Sequence, residues 1–124
     1  HAVAVTEYLL PRLPEDGIPY WDYDSPKIPD DARDASAAAI MASGLIELSS
    51  YVDVEKAERY MAVAEKMLRT LASEEYLAEE GEQYGFLLKH STGNMNKNSE
   101  VDVPLTYADY YFLEALMRYR AAAR

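Results

Sequence analysis

Two stretches of this chain hold the residue types best suited to chemistry. The first is Ile18-Pro19-Tyr20-Trp21-Asp22-Tyr23-Asp24, with the only tryptophan, followed by Asp31-Ala32-Arg33-Asp34-Ala35-Ser36 at the head of a run of small residues. A flat indole near carboxylates, a guanidinium and a hydroxyl offers a stacking face and hydrogen-bonding groups together, which suits a polar ring, carbohydrate first among candidates. The second is Lys89-His90-Ser91-Thr92-Gly93 with Asn94, Asn96, Lys97 and Ser99 behind it. His90, the only internal histidine, can donate to a hydroxyl or carboxylate near neutral pH. Each residue also has a structural reading. Trp21 can plug a loop against helix ends, and Asp22 and Asp24 can serve a turn. Asp34 and Ser36 can cap a helix, Arg33 can pair with Asp34 or another carboxylate, and His90 can be a hydrogen-bonded scaffold residue.

Composition narrows the choice of partner. The 124 residues fit one domain, and 22 acids against 12 bases give a net charge of −10, spread along the chain. That field disfavours nucleic acid and anionic membranes, whose phosphates call for clustered Lys and Arg. Arg33, Lys89 and Lys97 still leave local cations for an anionic sugar. With no cysteine and two histidines, one of them His1, the chain offers no disulfide, thiolate or histidine-rich metal site. The lack of cysteine fits the cytoplasm or the periplasm. No apolar run approaches the roughly 20 residues that span a bilayer.

The elements that must position these residues read as helices joined by long loops. His1 to Leu10 enters an apolar helical pattern with no cap and is expected to continue a helix begun upstream. Five prolines between Pro11 and Pro29 make the tryptophan loop stiff. A helix is expected from Asp30 or Asp31 to Ser49, with Ala37, Ile40, Met41, Gly44, Leu45 and Leu48 as its apolar stripe. Asp53 caps a second helix, Val54 to Ala72, burying Ala57, Tyr60, Met61, Ala64, Leu68 and Leu71 with charges outside. The short connection makes these two helices an antiparallel hairpin, one inner and one outer. Ser73 is expected to cap a short acidic helix through Glu80, and Tyr84 to Leu88 to form a short strand or extended segment. A final helix starts at Pro104, apolar nearly all round and so of the enclosed kind, though the 124 residues hold too little other structure to enclose it, with Tyr107, Tyr110, Tyr111 and Tyr119 in the core. Asp109, in its first turns, either meets the helix dipole or holds a neighbouring loop.

Four blocks taken in order add a resemblance. Leu13-Pro14-Glu15-Asp16-Gly17-Ile18-Pro19-Tyr20-Trp21-Asp22, Arg33-Asp34-Ala35-Ser36-Ala37-Ala38-Ala39-Ile40, His90-Ser91-Thr92-Gly93, and Asp102-Val103-Pro104-Leu105 with Asp109-Tyr110-Tyr111-Phe112-Leu113-Glu114-Ala115-Leu116 resemble the C-terminal third of the unsaturated glucuronyl hydrolases, glycoside hydrolase family 88. The resemblance implies an all-α fold, part of an (α/α)6 barrel of six helix hairpins, with residues 1–124 as one region of it. It implies hydrolysis of the Δ4,5-unsaturated uronic acid that lyases leave on oligosaccharides, without a cofactor. In the mechanism attributed to the family, an aspartic acid protonates the vinyl ether at C4 and water adds at C5. The family's catalytic aspartates precede this segment, so the chain alone is expected to carry no catalytic residue. Trp21, Asp22, Arg33, Asp34, Ser36, His90 and Lys97 are the expected substrate contacts. The order of Asn94, Lys97 and Ser99 differs from the Ser and Lys cluster of relatives that prefer sulfated substrates. An unsaturated rhamnogalacturonyl hydrolase and a non-enzymatic helical interaction module are the other readings, and open barrel surfaces make self-association plausible.

Overall fold

A computed structural model describes residues 1–123. It contains helices α1 (Ala2–Leu9), α2 (Ala35–Ser49), α3 (Val54–Leu71) and α4 (Thr106–Ala122), and the described residues form only isolated β-bridges, no strand. Helix α2 is central, packing broadly on α3 and on α4, which barely meet each other.

Helix α3 forms as its sequence predicts. Asp53 caps it, accepting from the Lys56 amide at 2.9 Å, and Tyr60, Ala64, Met67, Leu68 and Leu71 are buried. A charged face opposite an apolar one leaves little freedom in how such a helix sits.

Helix α2 starts later than expected, at Ala35. The preceding residues are extended: Tyr20 and Arg33 form an antiparallel bridge, the Trp21 amide donates to Ala32 O (3.0 Å), and the Asp34 amide donates to Pro19 O (2.9 Å). The backbone cannot be helical there, and Asp34, at φ −129°, is the cap, accepting from the Ser36 amide at 3.0 Å. Asp31 instead binds the tryptophan loop.

The buried face of α2 also differs from the expected stripe. Ala35, Ala38, Ala39, Ala42, Leu45 and Ile46 are buried, while Ile40 is 40% exposed and Gly44 is open. Both faces are apolar and small, so periodicity alone could not choose between them. What decides is close approach, since methyl-sized side chains let α3 and α4 pack tightly against one helix.

Helices α2 and α4 are parallel. Ser43 meets Glu114, Glu47 meets Arg118, and Ser36 meets Tyr107, each pair 71 positions apart. A constant separation is the mark of parallel register, and it puts both N-termini at one end. Helix α4 begins at Thr106 after an extended Leu105 (φ −133°, ψ 135°), because Ser91 and Val103 exchange both backbone hydrogen bonds (3.0 and 2.9 Å) and hold the chain extended up to Pro104. The helix is not enclosed on all sides. Ala108, Phe112 and Ala115 are buried, and Tyr110, Leu113, Leu116 and Met117 are exposed.

Residues 73–80 form turns, not the acidic helix expected from Ser73. The Ser73 hydroxyl donates back to Thr70 O (2.7 Å) at the end of α3. The chain then runs beside 87–89, with Ala78 N donating to Leu87 O and Lys89 N to Tyr76 O, each at 2.8 Å. Of the strand or extended segment expected over Tyr84–Leu88, the part from Phe86 is extended and forms one bridge, between Leu77 and Leu88, while Gln83–Gly85 make a 3-10 turn.

Candidate functional site

The N-terminal ends of α2 and α4 and the loop 89–103 come together at one end of the parallel pair. Asp34 is the hub. Its Oδ1 accepts from the Ser36 amide (3.0 Å), the Ser36 hydroxyl (2.5 Å) and the Thr92 amide (3.2 Å). The Thr92 hydroxyl donates to Arg33 O (2.9 Å), and the first amide of α2, at Ala35, donates to His90 O (3.0 Å). Two of the free N–H groups at the helix start are thus taken by the Asp34 side chain and by the loop backbone.

The loop is held by local constraints. His90, Asn98, Glu100 and Asp102 all adopt positive φ, between 49° and 62°, a conformation that L-residues enter at a cost of about 1–2 kcal/mol each. The His90 ring meets Asp102 at 2.6 Å through Nδ1 and stands edge-on to Tyr76. Gly93 N donates to Glu100 O at 2.7 Å, and Asp109 in α4 accepts from the Leu87 and Leu88 amides (2.8 and 2.9 Å). Of the two readings of Asp109, the one in which it holds a neighbouring loop describes its contacts.

Of the seven residues singled out in the sequence, Asp34, Ser36 and His90 gather here. Arg33 joins through its carbonyl only. Its guanidinium turns away to Asp16, at 2.6 and 3.2 Å, and to Ile18 O, and lies over the Tyr20 ring; Asp16, not Asp34, is its carboxylate partner. Trp21 is half-buried and donates its indole N–H to Asp31 (2.9 Å), while Asp31 also accepts from Ser25 and from the Ala32 amide. Those donors, the Ser25 hydroxyl foremost, lower the Asp31 pKa below the ordinary carboxylate value. Asp22 accepts from the Asp24 amide (2.9 Å) within the same loop. Lys97 is exposed in the 3-10 turn Met95–Lys97, at the far tip of the second loop. The Trp21 loop does reach α2, where the Tyr23 hydroxyl donates to Met41 Sδ (3.3 Å). Burial, then the Asp34 carboxylate, raises the Tyr23 pKa.

Thr92, named in the sequence only as part of the His90–Gly93 stretch, and Glu100 and Tyr107, not singled out there as contacts, lie beside these groups. Tyr107, expected in the core, is 41% exposed and lies beside Ser36. Burial of its hydroxyl, with the nearby carboxylates of Asp34 and Glu100, raises its pKa. Tyr110 is exposed as well. An aromatic in an apolar helix carries no sequence signal that separates core from mouth.

No protein-family model matches the chain. It is 49% identical over 119 residues to an unsaturated glucuronyl hydrolase of Formosa agariphila, covering 94% of this chain and 29% of that protein. The crystal structure of an unsaturated glucuronyl hydrolase specific for heparin matches with a TM-score of 0.89 at 48% identity, over 98% of this chain and 32% of the other. A Streptococcus agalactiae unsaturated glucuronyl hydrolase variant complexed with dGlcA-GalNAc6S matches with a TM-score of 0.82 at 36% identity, over 92% and 30%. The described helices are those of part of the (α/α)6 barrel that such enzymes form. Nearly the whole chain thus corresponds, in sequence and in fold, to about a third of an unsaturated glucuronyl hydrolase.

Proposed function

We propose that this chain supplies one wall of a hydrolase that releases Δ4,5-unsaturated uronic acid from lyase-generated oligosaccharides, and that it is the C-terminal region of that barrel. The 49% identity over 119 residues to an enzyme of that name carries the reading, and it gives no support to a rhamnogalacturonyl hydrolase or a non-enzymatic module. In the proposed reaction a carboxylic acid from another part of the barrel delivers a proton to C4 of the vinyl ether. Water then adds at C5, and the hemiketal opens to release the next sugar. The chain itself provides the mouth around Asp34, Ser36, Thr92 and His90. There the buried Ser36 and Thr92 fix Asp34 and the loop backbone, so that Asp34 and His90, which stay partly open, are held in one orientation, the pre-organisation that sugar hydroxyls require.

Trp21, Asp22, Arg33 and Lys97 belong to this reading in different ways. Arg33 and Trp21 hold the Pro11–Pro29 loop against the start of α2, and Asp22 shapes its turn. Lys97 is the loop cation free to meet an anionic group. An apolar groove of about 480 Å3 between α1 and α2, lined by Val5, Leu9, Met41, Leu48 and Tyr51, supports contact with further helices, and in the isolated chain self-association through the same face.

The test is a hybrid in which this chain replaces the matching segment of the Formosa agariphila enzyme. Run in D2O with an unsaturated disaccharide, it should consume the ultraviolet-absorbing double bond and place one deuterium at C4 of the released uronic acid, seen by NMR. A folded hybrid that leaves the double bond intact would contradict the proposal.

A further inference from the structure

The α2–α4 pair has an apolar flank on each side. On the α2 side is the groove of about 480 Å3, where Val5 and Leu9 of α1 face Met41, Gly44 and Leu48, and a Cβ added at Gly44 would meet nothing within 4 Å. On the α4 side stand Tyr110, Leu113 and Met117, which are 61%, 50% and 64% exposed. One flank is concave and short of a side chain, and the other presents three. The charged groups at their edges, Glu47, Glu114 and Arg118, already pair with one another, so joining the flanks would bury no lone charge.

The register of the pair lets these flanks meet. Residues of α2 and α4 that are 71 positions apart lie at one height, so Leu113 and Met117 stand level with Ala42 and Ile46, inside the span from Met41 to Leu48 that the groove occupies. One copy can therefore lay its α4 beside the α2 of the next, parallel and without a step along the axis. At about 100° per residue, each flank lies roughly a third of a turn from the residues that face the helix's own partner. Both angles open on the side of the pair where Ile40, Glu47 and Tyr110 lie. Level, parallel helices meeting at that angle close at about six, and a head-to-tail contact whose rotation closes makes a ring. The chain supplies two such helices and spans 32% of a relative whose barrel has six hairpins. We infer that three copies of this chain associate head to tail, the α4 face of each in the α1–α2 groove of the next, around a ring of six parallel helices. The inference rests on the barrel geometry and not on the reaction proposed above.

Sedimentation equilibrium of the native chain should give a trimer that dissociates on dilution. Gly44→Glu places a charge in the groove and Met117→Glu places one on the α4 face, both at positions open in the chain's own fold, and each variant alone should sediment as a monomer with native circular dichroism. Mixed, they retain one intact α4 face and one intact groove, and should form a one-to-one dimer that grows no further. A native chain that stays monomeric, stops at a two-fold dimer or polymerises without limit overturns the inference. So does a mixture of the two folded variants that remains monomeric. Either result leaves the function standing, because the hybrid, whose flanks belong to one barrel, tests that separately.

Discussion

The two ends of the α2–α4 pair share one register and are built differently. At the far end the helices touch directly. Ser43 donates to Glu114 at mid-helix (2.5 Å), and Arg118, further along, reaches Glu47 (2.6 Å) and Ser43 O (3.0 Å). At the mouth Ser36 and Tyr107 keep the same spacing, but Asp34, His90 and Thr92 bring a loop with four left-handed residues over the helix starts. Local strain and polar groups partly open to solvent belong to the end where a ligand is to be bound, whereas the far end has only to hold two helices in step.

Removing the hub should separate the ends most sharply. Asp34→Ala deletes a helix cap and strands the Thr92 amide, so about 2–3 kcal/mol of stability should be lost in urea unfolding. Hydrogen exchange should speed up at Ser36 and Thr92 and remain slow at the centre of α2. Asp109→Ala releases two loop amides and should cost about 2 kcal/mol, with faster exchange at Leu87 and Leu88. At the far end Ser43→Ala should cost about 1 kcal/mol and, in the hybrid, leave KM unchanged. If Ser43→Ala raised KM, the division of labour between the ends would be wrong.

The smallest effect is the part of the pH dependence that Glu114 contributes. The Ser43 hydroxyl foremost, with Tyr110 and Arg118, holds the Glu114 pKa below the ordinary carboxylate value. A lowered folded-state pKa means that the stabilisation is present above the unfolded value, about 4.3, and is lost as pH falls through the folded one. The urea midpoint of the native chain should therefore drop more steeply below about pH 4.3 than that of Glu114→Gln.

The sequence made the hairpin legible, because α3 carries its charges on one face and Asp53 at its start. It left the face of α2 open, because Ala35, Ala38, Ala39 and Ala42 differ too little from Ala37, Ile40 and Gly44 for periodicity to rank them. The site was half legible. Asp34 and Ser36 stand where caps and binding groups look alike, and His90 marks its loop by type. Which carboxylate Arg33 meets was not legible, because Asp16 lies 17 positions away across a bridge that no local pattern announces. Thr92 acts through its amide and Tyr107 through its place at the helix start, and neither role follows from residue type.

The most direct measurement is to follow the absorbance of an unsaturated uronic-acid disaccharide with the isolated chain and with the hybrid side by side. The account predicts no turnover by the chain alone and steady loss of absorbance with the hybrid. Turnover by the isolated chain, or a folded hybrid that leaves the absorbance unchanged, would contradict it.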